Sequence, residues 1–453
     1  MKAYSLLFKK RGFTMAYLAI DIGASSGRHM LGERVNGKIE LKEIYRFKNG
    51  PKMKNGHLCW DREQLFGDIL AGMKKCGEMG VIPESVAIDC FGVDFVLLDE
   101  NDELIGDTVS YRDERTLAVM DEVYSVISEN DLYKRTGIAS QVYNTIYQLY
   151  AVKKETPEAF ERAKTFLMLP EYFNFLLSGV KMNEYTIGST TQLINAKTKE
   201  YDKELLEMLG IPSSIFGKLN MPSTVVGDLT PQIREKVGYN CKVVLAAGHD
   251  TGSAVMTVPN EDDAIYISSG TWSLMGVLLN SANCDDKAKE AGFTNEGAFD
   301  GKVRFLKNIT GFWIVQQLRE QLPINEDWTE MANMAEKSGY TTPLDVNSDL
   351  LFSPKNMKEA VLQQLEIQGA PKPENVAQLL GAVYNGMADS YRRTTIELEE
   401  ITGKKYNTIY IIGGGSRNEL VNRLTAEYTG KKVVPWEVEA TAIGNILAQE
   451  AVK

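Results

Sequence analysis

YLAIDIGASSGR, residues 17–28, is an apolar run carrying one aspartate and closing on glycine and serine. Leu18, Ala19, Ile20 and Ile22 suit a buried strand, and Gly23 opens a turn of small residues. The strand-like runs that follow, GRHMLGERV and KIELKEIYRF, are joined by Asn36-Gly37. That dipeptide favours a two-residue hairpin because both positions accept a positive φ. The same order of strand, small-residue turn and strand returns at 264–279, AIYISSGTWSLMGVLL. A second echo links VAIDCFGV (86–93) to TIYIIGGG (408–415), each a strand ending in a glycine turn. Identity between the halves is faint, so the relation is structural and not a short tandem repeat. Two α/β lobes facing one another enclose a cleft, and clefts between domains are favoured ligand sites.

Working outward, 61–79 reads as a helix and 85–106 as strand, glycine turn, strand and acidic turn. Residues 114–210 read as mostly helical. KVVLAAGHDTGSAV (242–255) reads as strand, turn and helix. The segment 407–434 reads as strand, glycine turn, helix and strand, with Ser416 as the helix N-cap. No Pro/Gly/Ser-rich linker interrupts the chain, so the junction falls near 235–248. The expected lobes are 15–243 and 244–453. MKAYSLLFKKRGFT (1–14) has too short an apolar core for a secretory signal, and its basic residues follow that core instead of preceding it. It reads as a disordered extension.

The chain has 453 residues, 43% of them apolar, enough for two lobes. Its 50 basic and 61 acidic side chains leave a net charge of −11, which argues against nucleic acid or anionic membrane as partners. Cys59, Cys76, Cys90, Cys241 and Cys284 are scattered and odd in number, as in a reducing, cytoplasmic compartment. Three dispersed histidines give no metal cluster. No apolar run reaches the roughly 18 residues a membrane helix needs.

Five motifs can carry chemistry. In DIGASSGR, Asp21 can hold magnesium through water, and residues Ala24, Ser25, Ser26, Gly27 and Arg28 can approach phosphates; the same pattern also serves an ordinary hairpin turn. In GHDTGSAV, Asp250 can accept a hydroxyl proton during phosphoryl transfer or simply cap the helix after it. SSGTWSLMG places Thr271 at a turn, with Trp272 read as core or lobe contact. In IIGGGSRN, Gly413, Gly414 and Gly415 let backbone lie against a flat base. In FGVDF, Gly92 permits close approach, and Asp94 suits sugar hydroxyls or the turn itself. Arg112 and Asp113 of YRDERT can clamp a substrate or pair with each other. The order of these motifs suits a two-lobed ATPase.

AIDIGASSGRHML, FGVDFVLLD, YRDERT, GHDTGSAV, YISSGTWSLMG, TNEG, LKNITGFWIVQ and VEATAIGNI together resemble the FGGY carbohydrate kinases, over nearly the whole chain from 17 to 448. The resemblance implies an actin-like fold of two ribonuclease-H-like lobes around a deep cleft. It implies transfer of phosphate from ATP, with magnesium, to the 1-hydroxyl of L-rhamnulose in L-rhamnose catabolism. By the same resemblance Asp250 is the base; Gly92, His249, Asp250, Thr251 and Asn308 contact the sugar. Residues 24–28, Thr271, Gln316 and one or more of Gly413, Gly414 and Gly415 contact the nucleotide. Members of the group often carry Thr-Trp where this chain has Cys90-Phe91, and many continue beyond the position of Lys453. A monomer or homodimer is expected. Kinases of L-fuculose or L-ribulose are the nearest alternatives. An actin- or chaperone-like ATPase and a catalytically silent sugar-responsive regulator are more distant ones.

Overall fold

The computed structural model describes residues 15–352 and 354–452, so the 1–14 extension lies outside it. Six strands form the first sheet: β1 (Ala16–Ile22), β2 (Ser26–Val35), β3 (Lys38–Lys48), β4 (Ser85–Cys90), β5 (Val225–Asp228) and β6 (Lys242–Val244). Their spatial order is β5-β6-β4-β1-β2-β3. β1, β2 and β3 run antiparallel through tight turns, whereas β4 and β6 lie parallel to β1. The second sheet comprises β7 (Ala264–Ser269), β8 (Trp272–Leu279), β9 (Thr294–Gly297), β10 (Val303–Thr310), β11 (Thr408–Ile412) and β12 (Lys432–Pro435), in the order β9-β10-β8-β7-β11-β12. Here β7, β8 and β10 are antiparallel, and β11 and β12 are parallel to β7. β1 and β2 thus correspond to β7 and β8, and β4 corresponds to β11, the two echoes read in the sequence.

Alternation sorts each central strand between two layers. Leu18, Ile20 and Ile22 of β1 face the core of the first lobe. Tyr17 and Ala19 face the other way, onto Ala442 and Ile446 of α5 (Ala440–Glu450), a helix that follows the last strand of the second lobe. The arrangement is reciprocal. α2 (Asp250–Val255) follows the last strand of the first lobe, yet Ala254 and Val255 pack on Tyr266, Tyr410 and Ile412 of the second sheet. Each lobe therefore lends its terminal helix to the other.

α2 and α5 cross backbone to backbone, because a Cβ at Gly444 would overlap the carbonyl of Ser253. α5 is also pegged to the first sheet by polar groups. Asn445 donates to Asp89 Oδ2 at 2.5 Å, and Gln449 donates to the Leu18 carbonyl at 3.1 Å. A second seam joins the lobes at β9, where Asn295 N donates to the Gly137 carbonyl at 3.0 Å and Gly297 N to Ser189 Oγ at 2.7 Å.

Some local readings change. The 114–210 stretch is broken into short helices, the longest Thr145–Glu155, and includes the strand Thr165–Met168. The glycine turn after β11 first makes a 3-10 turn over Gly414–Arg417, so Ser416 is not the cap: its hydroxyl donates to Gly413 O. The cap of α4 (Glu419–Thr429) is Asn418, which accepts from Val421 N. α1 (Arg62–Glu78) is capped by Asp61 and covers the first sheet, and α3 (Val376–Thr402) is the long core helix of the second lobe. All five cysteines are unpaired. Among the described residues no helix is long and apolar enough to cross a membrane.

Candidate active site

The lobes enclose a cavity of about 740 Å³. Asp250 sits at its floor as the first residue of α2. The cap position belongs to His249, whose side chain makes no capping bond, so the simple capping role for Asp250 does not hold. Its two carboxylate oxygens are unequal. Oδ1 accepts from Thr251 N at 2.5 Å and Thr251 Oγ1 at 3.1 Å, and lies 3.4 Å from His249 Nε2. Oδ2 has no hydrogen bond to any described residue, and the side chain is partly open to the cavity. An anchored carboxylate with one open oxygen is what orienting a hydroxyl requires.

The loop bearing Asp250 is held from beneath. Glu184, fully buried, accepts from Gly248 N at 2.9 Å, from Thr186 N and Oγ1 and from Ile187 N. Burial raises its carboxyl above the usual range, against the pull of those donors. Beside the loop, Arg304, wholly inaccessible on β10, donates to Glu296 Oε2 at 2.8 Å. Burial opposes the Glu296 charge, but Arg304 and His249 outweigh it and hold the carboxyl at about 2.

One end of the cavity is aromatic. Phe91, Tyr111 and Tyr143 follow one another at ring separations of 5.8 and 6.1 Å, with Trp60 behind Phe91 at 4.7 Å. Gly92 lies in this wall, and a side chain there would press on Thr190. Asp94 does not face the cavity and is not on a strand, which begins at Phe95. It accepts from Trp60 Nε1, Tyr111 N and Gln148 Nε2 and so braces the wall; burial pushes its carboxyl up to about 6 against those bonds. Arg112 and Asp113 do not pair: Arg112 donates to Tyr111 Oη, and Asp113 accepts from Leu58 N and Arg115 N.

The other end is made of turns. Ser268, Ser269, Gly270 and Thr271 line it from the β7–β8 turn and Asn308 from β10, with Gly413 and Gly414 beside Ser269. Gly414 faces open space. Gly415 turns away, because a Cβ there would overlap Ser269 Oγ. Trp272 is neither core nor lobe contact: it is 37% exposed, lines the cavity and meets Phe352 at 6.0 Å. Gln316 lies outside the lining, its amide bonded to Glu320.

In DIGASSGR the turn is only Gly23–Ser25; residues 26–28 belong to β2. Ala24, Ser25, Ser26 and Gly27 are not in the lining, and Gly27 is small because the ring of Phe47 occupies the space a side chain would take. Arg28 does line the cavity. It donates to Asp21 Oδ2 at 3.0 Å and to Glu439, so it ties β2 to the residue preceding α5. Asp21 is paired in register with Asp89 on β4. Burial raises both carboxyls, Asp89 well above its ordinary value. The Asp21 charge adds to the effect on Asp89, the Asp250 charge adds to both, and Arg28 opposes it. Asp89 Oδ1 is buried without a partner. Among the described residues no group of three or more His, Cys, Asp or Glu forms a direct metal cage. Three carboxylates repelling one another beneath the cavity, one with an orphaned oxygen, still suit a hydrated cation held through water.

Sequence reading missed Asp89, Glu184, Glu296 and Arg304. Two signals were present: AIDI and AIDC repeat the same acid on β1 and β4, and Arg304 stands within the short apolar run Val303–Leu306.

Residues 16–257 match the FGGY family of carbohydrate kinases, N-terminal domain, and residues 265–451 its C-terminal domain. A rhamnulokinase of Halalkalibacterium halodurans is 46% identical over 432 residues, which cover 95% of this chain and 92% of that one. A rhamnulokinase of Bacillus subtilis is 38% identical over 438 residues, 96% of this chain and 90% of its own. Among solved structures, a ligand-bound xylulose kinase from Lactobacillus acidophilus superposes with a TM-score of 0.81 at 16% identity, over 97% of this chain and 89% of that one. The glycerol kinase of Plasmodium falciparum with ADP gives 0.78 at 14% identity, over 97% and 90%. The two-lobed architecture is the one these kinases share, an actin-like ATPase fold.

Proposed function

The chain belongs to the FGGY family of carbohydrate kinases, and from that premise we propose that it transfers the γ-phosphate of ATP to the 1-hydroxyl of L-rhamnulose. It is a phosphotransferase that uses a sugar as acceptor. The choice of L-rhamnulose is supported by the rhamnulokinases that resemble it at 38–46% identity across both lobes. The chemistry rests on one observation: Asp250 keeps Oδ2 open to the cavity while Oδ1 is held by its neighbours.

In this reading the first lobe presents the sugar and the second the nucleotide. The sugar sits against Gly92 and the aromatic wall, with His249, Thr251 and Asn308 around its hydroxyls. Adenine lies along Gly414, and the phosphates run between Thr271 and the turn before Arg28. Residues 24–27 reach the nucleotide only as the lobes draw closer around it, whereas Gln316 and Gly415 turn to Glu320 and Ser269 within the nucleotide's own lobe. Asp250 orients the 1-hydroxyl toward the γ-phosphorus and takes its proton as the new P–O bond forms. The bond to the β-phosphate oxygen breaks, and ADP leaves. Alignment carries more of such a transfer than base strength does. Magnesium, held near Asp21 and Asp89 through water, would offset charge on the phosphate oxygens. Arg28 adds a fixed cation at the same place, and lobe closure excludes water as a competing acceptor.

The test is a coupled ADP-release assay over L-rhamnulose, L-fuculose, L-ribulose and D-xylulose. The highest kcat/KM is expected with L-rhamnulose. A clear preference for another ketose would move the assignment within the family, and rapid ATP hydrolysis with no sugar response would reject it.

A further inference from the structure

Thr294 and Glu296 of the TNEG segment line the cavity but take no part in the transfer described above. β9 pairs Thr294 with Leu306 and Glu296 with Arg304 of β10, and β10 pairs Asn308 with Leu274 of β8. Alternate residues of a strand share a face. Glu296, Thr294, Asn308 and Leu274 therefore look out from one side of the second sheet, and all four meet the cavity. The residues flanking Glu296 are fixed to the first lobe. Asn295 Nδ2 donates to the Gly137 carbonyl at 2.8 Å, and Gly297 N donates to Ser189 Oγ at 2.7 Å.

The two oxygens of Glu296 are unequal. Oε2 accepts from Arg304 Nη2 at 2.8 Å and lies 3.1 Å from His249 Nδ1. Oε1 makes no hydrogen bond to any described residue, yet it is not sealed inside the protein. The side chain, 8% exposed, opens to the cavity at that atom. Burial opposes the charge, but Arg304 and His249 keep the carboxyl ionised. An ionised oxygen in so enclosed a place calls for a donor. Arg304 could supply one, since its Nη1 is itself buried without a partner and a two-pronged arginine–carboxylate pair would satisfy both. The pair is not closed in that way. Nη2 alone meets the acid, Nε donates to the Gly297 carbonyl at 3.0 Å, and Oε1 is left facing the cavity.

Tyr143, in the aromatic wall, borders the same space: burial first, and then the Glu296 charge, raise its hydroxyl above the ordinary value. Asp250 stands apart from it. The His249 ring lies between the two acids, with Nδ1 toward Glu296 and Nε2 3.4 Å from Asp250 Oδ1. The ring sets the two carboxylates at different points along a bound sugar.

We propose that Glu296 is a specificity-determining residue whose Oε1 accepts a hydrogen bond from the hydroxyl on carbon 3, 4 or 5 of the ketose, while Asp250 orients the hydroxyl on carbon 1. Arg304 anchors the carboxylate from behind and leaves one oxygen for the ligand. A ketose of opposite configuration at the contacted carbon turns its hydroxyl away and leaves that oxygen unpaired, which penalises the wrong sugar.

This inference rests on the reading of the cavity as a ketose site, and two measurements test it. The first is a crystal structure of the wild-type protein with L-rhamnulose. A hydroxyl oxygen of carbon 3, 4 or 5 within hydrogen-bond distance of Oε1 is expected; a bound sugar that leaves Oε1 to water would overturn the proposal. The second compares L-rhamnulose with its 3-deoxy, 4-deoxy and 5-deoxy forms, in the wild type and in the double variant Glu296→Met, Arg304→Met. Both charges are removed together because taking one member of a buried pair strands the other. In the wild type, loss of the contacted hydroxyl should lower kcat/KM roughly ten- to a hundredfold. In the variant the same loss should cost nothing further, with KM for ATP unchanged. Equal costs in the two proteins, as a merely structural role for Glu296 requires, would reject the contact. Should the variant not fold, the crystal structure decides alone. Failure of every ketose in the panel to bind the wild type would instead reject the ketose reading itself, so the two failures are distinguishable.

Discussion

Asp250 is where the local chemistry converges, and its replacement is the most direct probe. Asp250→Asn keeps the shape and the contact with Thr251 but removes the proton acceptor. Turnover should drop by about a hundredfold or more, in the range a positioned base supplies, while equilibrium binding of ATP stays close to wild type. An asparagine variant with wild-type kcat would move the acceptor-orienting role to another group. The residue itself was legible in the sequence, because GHD lies between a buried strand and a helix. Its supports were not. Glu184, Glu296 and Arg304 lie far from GHD in the chain, and nothing in a linear pattern says that a buried arginine ends beside a histidine of the other lobe. Asp89 was half-visible, as the twin of Asp21 in a repeated AID, yet the pairing of the two acids follows only from the parallel register of β1 and β4.

At the scale of elements, strand-and-turn patterns gave the two sheets well, because alternation and glycine turns are local signals. Boundaries shifted where a short side chain could act in two places. Ser416 and Asn418 are both good caps, and the intervening 3-10 turn decides for Asn418. Glycines misled in the opposite direction. Gly27 and Gly415 sit in motifs that suit phosphate and adenine, but their missing side chains make room for Phe47 and Ser269. The crossing of α2 and α5 offers a sharper case. Gly444→Val would force the two backbones apart, with overpacking worth about 3 kcal/mol. A lower melting temperature is expected together with a lower kcat, since Asp250 begins α2. Unchanged stability and rate would mean that the helices do not meet as closely as Gly444 and Ser253 do here.

For the molecule as a whole, the exchange of terminal helices was invisible in the sequence. A helix that packs on the neighbouring lobe has the same amphipathic pattern as one that packs on its own. Its thermodynamic signature is nonetheless definite. Neither sheet keeps both faces covered when the lobes part: the first loses Ala442 and Ile446 from above Tyr17 and Ala19, and the second loses Ala254 and Val255 from above Tyr266. Calorimetry should therefore record one cooperative transition for the full chain. Two well-separated transitions would show lobes that are stable independently.

The point at which Gly444 rests on Ser253 is also a fulcrum. The two crossing helices have no side chains between them there, so one can roll on the other with little change in packing, whereas the polar pegs of Asn445 and Gln449 prevent sliding along the first sheet. Any closure of the lobes that keeps this contact is a rotation about a point just below Asp250. In such a rotation Asp250, three residues from Ser253 on the same helix, would travel less than the outer rims, so that sugar and nucleotide would be brought to a carboxylate already in place.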